Sequence, residues 1–485
     1  MATFPPRPRL AALLLAVAPT IAGCGAGDGG FDGGGGLTPG GVKDLTLARE
    51  LIAAGQVPPA DAILPEAMFA EHDLPLAGAP CEEAVCLRAA AGLGPDADGA
   101  TKVWVQLGMS TAVDLDTWQR PATSFIYTVD VSGSMRWGGG EASPGELARL
   151  LLHELASQLR PDDRVAIVTY GSSVETALPP VAGASAAQVH AVIDDLAEDG
   201  STNMEAGLER AIEVGEGLVP DGRPTRIVLF TDEQPNVGAT DEGTFGGLVS
   251  RAAAGGIDTS VMAFGPSIGA ELLRGMASWR GANAFSFLAP EDVADFAVEH
   301  APFFATVIAE NLRLNLGPEA PWIIDRGIGL PAADDGQLAL QVNSLFLSRR
   351  RGALLVALDP RGAALTDLDL DLRLAYVDDG VTHEETLPIT LADVPSPTPA
   401  RWHAQPGVAA TAALALLTEA MHEAALAYSI EGTDAAATLD AALAAFDLDV
   451  AAITDETVRA DVAGERELAS ALRGLIARGA PQAAR

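Results

Sequence analysis

Phe125-Ile126-Tyr127-Thr128-Val129 runs directly into Asp130-Val131-Ser132-Gly133-Ser134, and these ten residues decide the fold. The first five are apolar apart from one threonine, which suits a central strand covered on both faces. The strand then ends in a carboxylate and two hydroxyls at alternate positions. Residues two apart in extended chain point the same way, so Asp130, Ser132 and Ser134 can converge, with Gly133 permitting the bend. All three offer hard oxygen ligands of the kind Mg2+ and Ca2+ take.

Around this stretch the pattern alternates between strand and helix, the signature of a parallel sheet with helices on both faces. Ser143 and Pro144 open a helix, the serine as its cap, whose apolar face is Leu147, Leu150, Leu151, Leu155 and Leu159. Arg164 to Tyr170 reads as a strand and Ser185 to Leu196 as a helix. Arg226 to Phe230 is a second buried strand, ending in Thr231-Asp232. Strands over Thr259 to Phe264 and Ala284 to Leu288 follow, and Val293 to Leu312 reads as a helix. Gly200-Ser201-Thr202-Asn203 supplies a further polar loop, opening a helix from Met204. Ligands of open α/β sheets sit at the carboxyl ends of strands, where Asp130 and Asp232 both fall.

Asp130-x-Ser132-x-Ser134, Thr202 after a Gly-Ser turn, and Asp232 after Phe230-Thr231 together resemble the three loops of a von Willebrand factor type A (VWA) domain, over roughly residues 121–305. The resemblance implies a doubly wound, mostly parallel sheet. It also implies a metal-ion-dependent adhesion site built from Asp130, Ser132, Ser134, Thr202 and Asp232. Such a site holds Mg2+, with Mn2+ or Ca2+ as alternatives, and leaves one position for an Asp or Glu carboxylate of a partner protein. Glu233 stands where many relatives have glycine.

Leu10 to Ala18 is an apolar run after Arg7 and Arg9, too short to span a bilayer. It is followed by Ile21-Ala22-Gly23-Cys24, which resembles a bacterial lipoprotein signal. The expectation is a leader over 1–23, lipidation of Cys24, and an exported chain held to the cell envelope by that lipid. Gly25 after the cysteine resembles outer-membrane sorting. Cys81 and Cys86 remain as an even pair suited to a local disulfide, since no second Cys/His pair with zinc spacing occurs.

The remaining organisation follows from composition. Residues 24–41 are glycine-rich and read as a flexible tether. Residues 42–120 form a lead-in region, and Arg49 to Ala62 resembles the N-terminal lead-in of exported bacterial proteins built around a VWA domain. After the α/β domain, 306–395 carries strands without helices, which suggests a β-sandwich-like section. Asp367, Asp369 and Asp371 alternate with leucines there; an outward acidic face is the common reading, a calcium site the rarer one. Residues 400–485 are alanine- and leucine-rich at helical spacing and read as a helical bundle.

The net charge of −36, from 66 acidic and 30 basic residues, disfavours nucleic acid as a partner. Enzyme signatures are missing. Ser132 is not in a Gly-x-Ser-x-Gly turn, and His153-Glu154 and His422-Glu423 lack the second histidine of a zinc helix. The sequence therefore points to a metal-dependent protein-binding module rather than an enzyme. The alternatives are an adaptor or chaperone-like assembly factor for an envelope complex and, more weakly, a metal-dependent hydrolase.

Overall fold

The computed structural model describes residues 35–96, 99–232, 237–238, 242–265, 279, 281–316, 321–329, 339–391 and 393–483. The leader, Cys24 with its lipidation, and Glu233 lie outside the described residues. In chain order come the short strands β1 (Gly36–Pro39) and β2 (Gly41–Val42), helices α1 (Thr46–Ala53) and α2 (Pro65–Ala70), and strands β3 (Cys86–Pro95) and β4 (Thr101–Ser110). Next are β5 (Ser124–Asp130), α3 (Pro144–Ser157), β6 (Arg164–Tyr170), β7 (Val174–Ala182), α4 (Ala186–Asp194) and α5 (Met204–Leu218). Then follow β8 (Thr225–Thr231), α6 (Glu242–Ala254), β9 (Ile257–Phe264), β10 (Ala282–Phe287) and α7 (Pro290–Glu299). Strands β11 (Val307–Leu316), β12 (Trp322–Ile328), β13 (Ala339–Ser348), β14 (Ala353–Pro360), β15 (Asp369–Asp378), β16 (Val381–Thr390) and β17 (Trp402–His403) come next. The chain ends in helices α8 (Pro406–Glu431), α9 (Ala436–Ala452), α10 (Glu456–Ala463) and α11 (Glu465–Ala477).

One sheet has the order β2-β10-β9-β8-β5-β6-β7 and is parallel except for the edge strand β7. Every residue of β5 is buried, because helices cover both faces. Phe125, Tyr127 and Val129 pack with Leu147, Leu151 and Leu155 of α3. The intervening Ile126 packs with Leu208 and Ala211 of α5. Each such buried aliphatic or aromatic side chain contributes roughly 1.5–3 kcal/mol, so the alternation of β5 fixes its register between two layers. Helix α3 starts without a side-chain cap: Ser143 Oγ instead donates to Gly140 O at 2.9 Å, and Pro144 at the first position begins the helix. Asn203 does cap α5, its Oδ1 accepting from Ala206 N at 3.2 Å.

The second sheet has the order β12-β14-β4-β1-β13-β11-β15-β16, with β3 on β4 and β17 on β3. Its two ends share one core, in which Leu87, Val105 and Leu107 lie with Leu312, Leu314, Leu372 and Leu374. The sheet is therefore folded over in the manner of a sandwich. Asp369 and Asp371 are exposed while Leu368, Leu370 and Leu372 are buried, so the acidic alternation is an outward face. A disulfide joins Cys81 to Cys86 just before β3.

Residues 36–41 of the expected tether are not free chain: β1 pairs with β13 and β4, β2 pairs with β10, and Leu37 is fully buried. Within the lead-in 42–120, β3 and β4 belong to the same sheet as the strands of 306–395. The helix expected over Val293 to Leu312 stops at Glu299, before Pro302, and the chain resumes as β11 between β13 and β15.

Helix α8 packs on α2, β4 and β14, and is joined by α9, α10 and α11. Its buried residues from Ala409 to Ala425 share a single core with Ala67 and Met68 of α2 and with the α5 face of the parallel sheet, while Val408 packs with Leu76 and Ala90. Lead-in, helices and α/β domain thus form one packed body. No helix among the described residues is long and apolar enough to cross a membrane.

Candidate metal centre

Strand order places the site. The chain leaves β5 for β6 on one side of the sheet, then crosses to β8 on the other, so the carboxyl ends of β5 and β8 flank a topological switch point. Asp130 is the last residue of β5, and Asp232 follows the last residue of β8. In the ladder Val129 lies opposite Phe230, which brings the two aspartates to neighbouring positions on adjacent strands.

Hydrogen bonds then knit the loops. Asp130 Oδ1 accepts from Ser132 N at 2.8 Å, turning the chain inward after the strand. Ser132 Oγ and Ser134 Oγ are 2.9 Å apart, and Ser134 Oγ donates to Asp232 Oδ1, also at 2.9 Å. Thr231 Oγ1 donates to Asp130 Oδ2 at 3.1 Å, closing the connection between the two strand ends. The loop carrying Thr202 docks against the first loop through Gly133 N to Gly200 O, 2.8 Å. Gly133 sits where a side chain would meet Glu198 Oε1 at 3.1 Å, so the bend is also a close approach.

Burial is uneven. Asp130, Ser132, Thr202 and Asp232 are buried, whereas Ser134 is half-buried, so the cluster opens to solvent on the Ser134 side. Asp130, Ser132, Ser134 and Asp232 are linked by these hydrogen bonds, and Thr202 lies in the loop that docks through Gly200. Sequence reading did not single out Thr231, Tyr170 or Trp137. Trp137 Nε1 donates to the Asp130 carbonyl at 3.2 Å, and Tyr170 OH to the Phe230 carbonyl at 3.2 Å. Burial, then the charges of Asp130 and Asp232, push the Tyr170 phenol well above its usual range, so it stays a neutral donor against the site. The only sequence signal for Thr231 is its place beside Asp232.

The donor set fits a hard divalent cation. It is all oxygen: two carboxylates and three hydroxyls. Metal–oxygen bonds of about 2.0–2.1 Å around octahedral Mg2+ put adjacent ligand oxygens about 2.9 Å apart. The Ser132–Ser134 and Ser134–Asp232 oxygen pairs have that spacing. The site is poor in charge, since among the described residues no group of three or more His, Cys, Asp or Glu side chains is arranged to hold a metal. Two carboxylates would balance the charge of one divalent ion, with the three hydroxyls as neutral oxygen donors.

Comparison with known proteins agrees with this geometry. A family model described as von Willebrand factor type A domain matches residues 125–234. An uncharacterised protein of Escherichia coli, YfbK, is 35% identical over 156 residues, 32% of this chain and 26% of that protein. Inter-alpha-trypsin inhibitor heavy chain H1 of Sus scrofa is 29% identical over 124 residues, 24% of this chain and 13% of its own length. The chain thus spans about a quarter or less of these relatives. A solved structure titled von Willebrand factor type A from Catenulispora acidiphila superposes with a TM-score of 0.54 at 14% identity, over 83% of this chain and 98% of that one. That likeness concerns the fold alone. The loops that carry Asp130, Ser132, Ser134, Thr202 and Asp232 belong, on the evidence of sequence and strand order together, to a von Willebrand factor type A domain.

Proposed function

We propose that this chain is an exported protein, lipid-anchored through Cys24 in the cell envelope, outer membrane rather than inner, that captures a partner protein through a divalent cation. Mg2+ is the expected ion, with Mn2+ or Ca2+ as substitutes, and an Asp or Glu carboxylate of the partner completes its coordination. The observation that carries this reading is the oxygen set Asp130, Ser132, Ser134 and Asp232, already spaced for a small hard ion and open to solvent beside Ser134. The function is binding without turnover. The lipid anchor rests on the residues around Cys24.

The test is capture from envelope extracts by the purified chain, with Mg2+ and with EDTA, followed by identification of what is retained. A partner retained with Mg2+, lost with EDTA and lost with Asp130→Ala supports the reading. Equal retention in all three conditions overturns it. Globomycin sensitivity of processing, together with mass spectrometry of the N-terminal peptide, tests the lipid: an unmodified Cys24 in the mature protein contradicts it.

A further inference from the structure

A cavity of about 610 Å³ opens at the opposite end of β5 from the metal centre. Phe125 and Tyr127, near the start of that strand, line it, together with Leu155 at the end of α3 and the Phe303–Phe304 turn after α7. The second sheet closes the other side with Trp118, in the loop after β4, and Arg349, in the turn after β13. Five residues of strand separate Phe125 from Asp130, or about 16 Å at strand rise, so this is a different site. Its volume lies in the range of small-molecule sites, roughly 300–1,000 Å³.

Its chemistry is two-sided. The walls are aromatic: Trp118 and Phe303 pack with ring centroids 5.6 Å apart, and Phe125 stacks on Phe304 at 6.3 Å. The charge at the lining is mainly guanidinium, from Arg120, Arg160 and Arg349. Arg120 is committed to the buried Asp163, its Nη1 2.7 Å from Oδ1, and Arg160 to Asp162 at 3.2 Å. Arg349 is different. It lies over the Phe303 ring, 5.3 Å from the centroid, and no carboxylate among the described residues pairs with it.

Sequence makes this more pointed. Arg349 belongs to an arginine triplet in a chain of net charge −36. Arg351 binds Asp73, with Nε 3.0 Å from Oδ1, and Arg350 reaches the Ala70 carbonyl at 3.5 Å. Those two have structural work, whereas the third points its charge at the mouth of an aromatic cavity. A carboxylate beside that guanidinium would gain a charge-assisted hydrogen bond that a neutral ligand lacks, and a cation would be repelled by it.

We propose that this cavity binds an amphipathic organic anion, an aryl or medium-chain alkyl carboxylate. Its apolar body lies against Trp118, Phe125 and Phe303, and its carboxylate meets Arg349. The site is independent of the metal centre and of the partner-binding reading.

The test is calorimetric titration of the full chain with naphthoate and decanoate, and with their neutral counterparts naphthylmethanol and decanol, in the presence of EDTA. The expected result is saturable one-to-one binding of at least one anion, about tenfold or more tighter than its alcohol. Arg349→Gln removes that preference and Trp118→Ala weakens acid and alcohol alike, while the exposed Arg361→Gln changes nothing. The melting temperatures of the three variants identify any loss due to unfolding, and Arg349, being exposed, is replaceable without disturbing the core. No saturable binding of either acid overturns the proposal, as does equal affinity for acid and alcohol, or an Arg349→Gln variant that binds as wild type does.

Discussion

Ser134 Oγ donates to Asp232 Oδ1 at 2.9 Å across 98 residues of intervening chain. That bond joins the loop after β5 to the loop after β8. Both ends of it are oxygens of the kind that a divalent ion takes as ligands. Ser134→Ala removes one ligand and the bridge without touching the buried core. The expected outcome is a folded protein with Mg2+ affinity lowered by about tenfold, read by the Mg2+-induced rise in melting temperature. A rise equal to that of wild type at every Mg2+ concentration contradicts the assignment of Ser134.

Gly36 lies where an added Cβ would meet the Arg350 carbonyl oxygen at 2.0 Å, whereas around Gly217 on α5 there is open space. Opposite signs follow. Gly36→Ala forces β1 away from the turn beside it and should cost about 1–3 kcal/mol, while Gly217→Ala should stabilise by about 0.5–1 kcal/mol through helix propensity. Urea unfolding of both variants reads the difference. A neutral Gly36→Ala would restore the tether reading for that segment.

His72 is buried, which works against its charge, but a hydrogen bond to Asp461 and the Glu465 carboxylate 3.4 Å away outweigh this and raise its pKa to about 9. A folded-state pKa above the unfolded value near 6.5 gives stability fully present below pH 6.5 and lost as pH rises through 9. Lys43 acts in the opposite sense: burial holds it down to about 7, so the unfolded chain takes up its proton first and stability from it grows above that pH. Comparing wild type with His72→Gln at pH 6 and pH 9.5 isolates the histidine. The variant should lose most at pH 6 and little at pH 9.5. A pH-independent difference would show that the charge of His72 contributes nothing.

Asp163 is fully buried and accepts from Arg120 Nη1 at 2.7 Å, Arg160 N at 2.7 Å and Thr123 N at 2.9 Å. Asp163→Ala strands one guanidinium and two amides at the base of β5 and β6. A loss of about 3–5 kcal/mol in urea unfolding is expected, with the double variant Asp163→Ala/Arg120→Leu recovering part of it. An Asp163→Ala variant within about 0.5 kcal/mol of wild type would contradict the account of this pair.

The α/β domain was legible because β5 and β8 are continuous apolar runs ending in carboxylates, a pattern set by local burial. What the sequence hid was long-range. Gly36 read as flexible tether, yet it marks a close backbone approach: a Cβ there would meet the Arg350 carbonyl at 2.0 Å, and one on Gly352 would meet the Leu37 carbonyl at 2.5 Å. Val307 to Leu312 continues an apolar helical pattern, but Pro302 ends the helix and pairing with β13 and β15 makes the segment a strand. β3 hides in an alanine- and glycine-rich stretch whose partner, β4, gives it its structure. At the site, Asp130, Ser132 and Ser134 were readable as candidate oxygen ligands from residue type and spacing, and Thr202 and Asp232 joined them through the resemblance to a VWA domain. Thr231, Tyr170 and Trp137 were not readable, because their roles depend on which strand lies beside which.

The central claim is that Asp130 and Asp232 hold a divalent cation that the rest of the site leaves open to a partner. Isothermal titration of the purified chain with Mg2+ and Mn2+, repeated on Asp130→Ala, tests it most directly. The account predicts one ion per chain for wild type and no measurable binding for the variant, with both proteins folded. Wild type that takes up no ion, or a variant that takes it up unchanged, would contradict it.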